Sequence, residues 1–128
     1  KDLIKQIDLQ SEHEWINARN VAVITLLYGC GLRISEALSI TFDKTPLPEV
    51  LKIIGKGNKE RIVPILPVAK AAVKNYLKCC PYSFLPNDRL FKGARGGPLN
   101  QRLIRKVMEH HILCAIHLQP TSWKQVEI

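Results

Sequence analysis

The 128 residues carry 19 Lys and Arg against 11 Asp and Glu, a formal charge of +8, with 46% apolar and 23% charged side chains. That length and apolar content suffice for one buried core, which argues against disorder, and the positive field suits a nucleic acid or an acidic surface without choosing between them. The longest apolar run, residues 21 to 27, is broken by Thr25 and falls well short of the ~20 residues that span a bilayer, so no membrane segment is expected.

The amino end, Lys1-Asp2-Leu3-Ile4-Lys5, has neither an initiating Met nor a signal-peptide core, and a start inside a longer reading frame is expected. Between residues 15 and 28, Ile16, Val21, Val23, Ile24, Leu26 and Leu27 predict a helix buried on most of its circumference. Tyr28 is expected in its core, and Gly31 as its stop. Ser35 suits the N-cap of a short second helix with Leu38 and Ile40 turned inward, which leaves Arg33 at the corner. Pro46 and Pro48 mark a loop over residues 43–49. Residues 50–54 and 61–65 then read as two strands. The intervening Gly55-Lys56-Gly57-Asn58-Lys59-Glu60 is a hairpin tip, because Gly and Asn accept the positive φ of tight turns, and it lifts two lysines into solvent.

A third helix is predicted over 67–77, with Pro67 in its first turn and Val68, Ala71, Ala72, Tyr76 and Leu77 available to pack. Leu90-Phe91 reads as a short extended piece leading into the basic glycine turn Lys92-Gly93-Ala94-Arg95-Gly96-Gly97-Pro98. A helix over 99–109 follows, with Leu103, Ile104 and Val107 inward and Arg102, Arg105 and Lys106 outward. Beyond His111 neither a helical period nor alternation persists, and Pro120 would stop either element. Residues 112–128 are therefore expected to be a tail outside the domain.

Cys30, Cys79, Cys80 and Cys114 show no CxxC spacing, and His110 and His111 point about 100° apart on a helix instead of sharing a face. Reduced thiols and no metal site are expected.

Two segments carry a family resemblance. Leu27-Tyr28-Gly29-Cys30-Gly31-Leu32-Arg33-Ile34-Ser35-Glu36-Ala37-Leu38 resembles the first catalytic motif of the tyrosine recombinases, or phage integrases, in their XerC-like branch. Ile54-Gly55-Lys56-Gly57-Asn58-Lys59-Glu60-Arg61-Ile62-Val63-Pro64 is similar to the β-hairpin that bears the family's catalytic lysine, and Leu90-Phe91 through Pro98-Leu99 resembles the linker before its next helix. The resemblance implies a mainly α fold with a small antiparallel β-sheet, residues 1–111 being part of a DNA-cleaving catalytic domain. It implies double-stranded DNA as partner, a second recombinase alongside, a cytoplasmic setting, chromosome-dimer resolution as the type of reaction, and no metal or other cofactor.

The chemistry explains the residue types. Attack of a tyrosine hydroxyl on a phosphodiester builds negative charge on phosphoryl oxygens, which a planar guanidinium holds bidentately; the resemblance gives Arg33 that role. The departing deoxyribose oxygen needs a proton, and Lys56 is the expected general acid, with Lys59 second. Lys59, Arg61 and Arg95 are expected to contact DNA phosphates.

The family also requires a later His-x-x-Arg motif and a tyrosine nucleophile, yet no Arg follows Lys106 and no Tyr follows Tyr82. A catalytically inactive piece is expected, with a non-catalytic basic DNA-binding module or a decaying gene product as alternatives. If each codon is shifted to the last base of one residue and the first two of the next, residues 109–128 can encode Thr-Pro-His-Thr-Leu-Arg-His-Ser-Phe-Ala-Thr-His-Leu-Leu-Glu-Ala-Gly-Gly-Asp. That stretch contains the missing motif, so an out-of-frame deletion near Met108 or Glu109 is expected. Apolar faces of the first and last helices should then lack their usual cover, which lowers stability.

Overall fold

The structure, a computed structural model, describes the backbone of residues 2–118 and the side chains of residues 14–110. Expectations for residues 119–128, Pro120 among them, lie outside that range.

Helix α1 (Asp2–Cys30) is the spine of the molecule. Trp15, Ala18, Ala22, Val23, Leu26 and Leu27 recur at helical spacing and form one buried stripe. Burial around most of the circumference is not what the fold delivers. Val21 is 51% exposed and Tyr28, expected in the core, is 62% exposed, because α3 (Pro67–Cys79) packs on one side only. Helix α1 ends where predicted: Gly31 takes φ +73°, and the Leu32 N–H turns back to the Leu26 carbonyl (3.3 Å).

Helix α2 (Ile34–Leu38) follows at once and turns Leu38, with Ile40 just beyond it, into the core as expected. Its N-cap is Arg33 and not Ser35: the backbone is extended at position 33, and the Glu36 carboxylate accepts the Arg33 N–H (2.9 Å). A 3-10 turn (Phe42–Lys44) leads into β1 (Val50–Ile54), which pairs antiparallel with β2 (Glu60–Pro64) in the register Val50 opposite Pro64 and Ile54 opposite Glu60. Leu51, Ile53 and Val63 face the core while Val50, Ile54 and Ile62 face out. The alternation is what a sheet with a single buried face requires.

On α3, Ala69, Val73 and Tyr76 are the buried positions; Val68 and Ala71, expected to pack, point to solvent. A helix packed along one side buries positions three and four apart, which 69, 73 and 76 satisfy and 68 and 71 miss. Leu90 and Phe91 are fully inside. Helix α4 (Gln101–Leu118) begins after Asn100, whose side chain accepts the Arg102 N–H (2.8 Å). Ile104 is buried, Val107 half-buried and Leu103 40% exposed, while Arg102, Arg105 and Lys106 are exposed. The helix runs through residues 112–118, where a tail without secondary structure was expected. The architecture is four helices and one two-stranded antiparallel sheet among the described residues, the mainly α fold the resemblance implied.

Candidate functional site

The corner between α1 and α2 and the tip of the β1–β2 hairpin are far apart in sequence and meet in space. Arg33 stands exposed at the corner, and Lys56 stands exposed in the 3-10 turn (Lys56–Asn58) that closes the hairpin. Gly57 (φ +71°) and Asn58 (φ +58°) supply the left-handed backbone there, and the Gly55 N–H bonds to the Lys59 carbonyl (2.8 Å). Both cations line two adjoining hollows of about 460 and 510 Å³. The first continues along Ser35, Ser39, Thr41, Lys44 and Lys52, and the second along Lys59, Glu60 and Arg61.

Arg61 joins the two walls of these hollows. Its Nη2 donates to the Gly31 carbonyl (3.0 Å) and to Glu36 Oε1 (2.9 Å), the carboxylate oxygen that also accepts the Arg33 N–H. The hairpin is thus tied by one guanidinium to the helix corner that presents Arg33. Glu36, whose side chain is 10% exposed, is a positioning residue for both sides of the cleft. Its signal in the sequence was the acid three residues beyond a helix start, which reads equally well as a partner for the Arg33 side chain. Lys52 and Glu60 pair across the hairpin (3.0 Å), so Arg33, Lys44, Lys56 and Lys59 are the cations of the cleft without a carboxylate partner among the described residues.

Arg95 sits exposed on the 92–98 turn and lines neither hollow. A larger hollow of about 750 Å³ lies on the other side of the Phe42–Lys44 turn, walled by Phe42, Leu47, Val73, Leu77 and Phe84 with Lys70 and Lys74 beside them. It holds neither Arg33 nor Lys56. Among the described residues no three metal-binding side chains converge, and no helix is long and apolar enough to cross a membrane.

The sequence model of the phage integrase family matches residues 1–118. The chain belongs to the phage integrase family. Within it, the chain is similar to tyrosine recombinase XerC of Agrobacterium fabrum, 53% identical over 100 residues, which is 77% of this chain and 32% of that protein. It is also similar to tyrosine recombinase XerC of Mesorhizobium japonicum, 52% identical over 114 residues, covering 88% and 36% respectively. A crystal structure of XerA recombinase superposes with a TM-score of 0.57 at 21% identity, covering 77% of this chain and 37% of that one. This integrase-family chain therefore spans about a third of the length of the relatives it matches.

Proposed function

We propose that this stretch supplies the phosphate-gripping arginine and the general acid of a site-specific DNA recombination reaction, and that the 128 residues alone bind duplex DNA without cleaving it. The observation that carries the proposal is the shared cleft of Arg33 and Lys56, with Arg61 and Glu36 tying its two walls together. In the whole reaction a tyrosine oxygen forms a bond to phosphorus while the bond from phosphorus to the deoxyribose oxygen breaks. Arg33 offers two parallel N–H groups to the phosphoryl oxygens, whose charge rises in the transition state. Lys56 delivers its proton to the departing oxygen, and the flexible stem of a lysine at a hairpin tip suits that approach. Lys59 and Arg95 serve as phosphate contacts, and Arg61 divides its donors between the tether and the backbone of DNA. A partner recombinase in a cytoplasmic complex that resolves chromosome dimers is the corresponding setting, and neither metal nor nucleotide is required by these roles.

Inactivity of the 128 residues follows from the lack of a counterpart to the His-x-x-Arg motif and the tyrosine nucleophile. Incubation with nicked recombination-site DNA should give salt-sensitive retardation and no covalent adduct. A covalent protein–DNA product overturns the inactivity, and absence of binding at low salt overturns the DNA role. Residues 112–128 are proposed to be text read in a shifted frame; nucleotides just downstream, read in that other frame, should encode a Leu-Gly-His segment and a Tyr, and finding neither ends the idea.

A further inference from the structure

The 92–98 turn is held more firmly than a connection between two elements needs. Tyr76, wholly buried on α3, accepts the Lys92 N–H (2.9 Å) and donates to the Leu90 carbonyl (2.8 Å). Arg19, 2% exposed on α1, donates from Nη1 to the Lys92 carbonyl (3.2 Å). Its remaining donors reach Asn20 Oδ1 (3.0 and 2.8 Å), its guanidinium lies 5.8 Å from the Trp15 ring centroid, and no carboxylate meets it among the described residues. Burying a guanidinium without a counter-charge is unfavourable, and that desolvation holds its pKa below the ordinary value.

Inside the turn, Lys92 Nζ donates to the Gly96 carbonyl (3.3 Å), the Gly93 N–H to Gly97 (2.6 Å) and the Gly96 N–H to Gly93 (3.0 Å). The Tyr82 hydroxyl donates to the Ala94 carbonyl (2.6 Å), and its ring lies against Gly96, where the backbone has φ +93° and a Cβ would come within 3.0 Å of the ring. All these contacts seize the backbone on either side of position 95. The Arg95 side chain is exposed, and among the described residues no hydrogen bond or ion pair holds its guanidinium. A fixed backbone bearing one free cation is the arrangement that lowers the ordering cost of gripping an anion.

We propose that the 92–98 turn is a preformed contact for a DNA backbone phosphate, with Arg95 as the binding group and Arg19, Tyr76 and Tyr82 as positioning residues that set where its guanidinium stands. The inference rests on the duplex-DNA reading above and deepens it. It is tested on the full 128-residue chain by fluorescence anisotropy with a labelled DNA duplex over about 50 to 200 mM salt. Arg95→Ala should reduce the slope of log K against log salt by about 0.9, the value for one phosphate. Tyr76→Phe and Tyr82→Phe should each reduce it by part of that amount, and neither should reduce it further in an Arg95→Ala background.

A network that merely stabilises the fold would lower the melting temperature and leave the Arg95-dependent part of the slope intact. That result, or losses that add in full to Arg95→Ala, overturns the inference. Should Tyr76→Phe fail to fold, Tyr82→Phe at the half-exposed rim carries the test. If Arg95→Ala leaves the slope unchanged while Lys56→Ala lowers it, the turn is not a contact and the DNA reading stands. No salt-dependent binding by the unaltered chain removes the DNA reading itself.

Discussion

Glu36 is the residue on which the geometry of the cleft turns, and its removal has a calculable effect. One carboxylate oxygen serves the Arg33 N–H (2.9 Å) and Arg61 Nη2 (2.9 Å). Loss of an acceptor at a helix N-terminus costs about 0.5–2 kcal/mol. The Arg61 side chain is 40% exposed, so solvent screening limits its ion pair to about 0.5–1 kcal/mol. Glu36→Ala should therefore destabilise by about 1–3 kcal/mol, and each kcal/mol lowers Tm by about 3–5 °C in a domain of this size. Thermal melts followed by circular dichroism at low salt read the change directly. Glu36→Gln keeps an acceptor oxygen and should lose about half as much. A double-mutant cycle with Arg61→Ala should return a coupling of about 0.5–1 kcal/mol. Deleting a carboxylate also makes the chain more positive, which by bulk electrostatics favours DNA binding. The tether predicts weaker binding at equal salt despite that gain, because Arg33 and Lys56 are no longer presented together. Unchanged melting with no coupling to Arg61 would refute the reasoning.

Leu26 is fully buried where α1 meets the core, so Leu26→Ala should cost about 2–5 kcal/mol, a large share of an ordinary domain's stability; an unchanged melting temperature would contradict the packing described. Gly57 has φ +71° with open space around it, so Gly57→Ala should cost about 1–2 kcal/mol through backbone strain alone, and Gly57→Asn less, as denaturant midpoints would report. The Asp88 carboxyl is held below its usual range by the Leu85 N–H and then by Lys92. Its folded pKa is depressed, so its stabilisation is present above the unfolded carboxylate value of about 3.9 and is lost as pH falls through the folded value. The difference in Tm between the unaltered chain and Asp88→Ala should shrink as pH is lowered from 7 to below that window; a constant difference would show that the carboxylate charge is not involved.

Much of the fold was legible in the residues because the signals were local. Gly31 and Gly57 announce backbone that other residues avoid, Pro67 sits in a first helical turn, and the short apolar run over residues 50–54, ended by Gly55, reads as a strand. The motifs around Arg33 and Lys56 single out two residues that line the same pair of hollows. Apart from the cap at Arg33 and the extent of α4, the differences concern which way a side chain faces. Tyr28, Val21, Val68 and Ala71 are apolar and lie on helices, yet which stripe is buried depends on where the neighbouring helix comes to rest, and periodicity in an almost uniformly apolar segment cannot tell one side from another. The same limit hid Arg19: a charge in the middle of a helix reads as a solvated face until the Lys92 carbonyl, 73 residues away, is brought against it.

What the sequence determined by itself is where two cations stand, since an arginine after a glycine stop and a lysine on a glycine hairpin are placed by local backbone. Only the tertiary structure decided that the two share a cleft, that Arg61 is spent in part on tying the hairpin to Gly31 and Glu36, and that the 92–98 turn is clamped by α1, α3 and the loop that carries Tyr82. Those are contacts between residues distant along the chain, and their free energy comes from burial and hydrogen bonding that exist only once the helices and hairpin have packed.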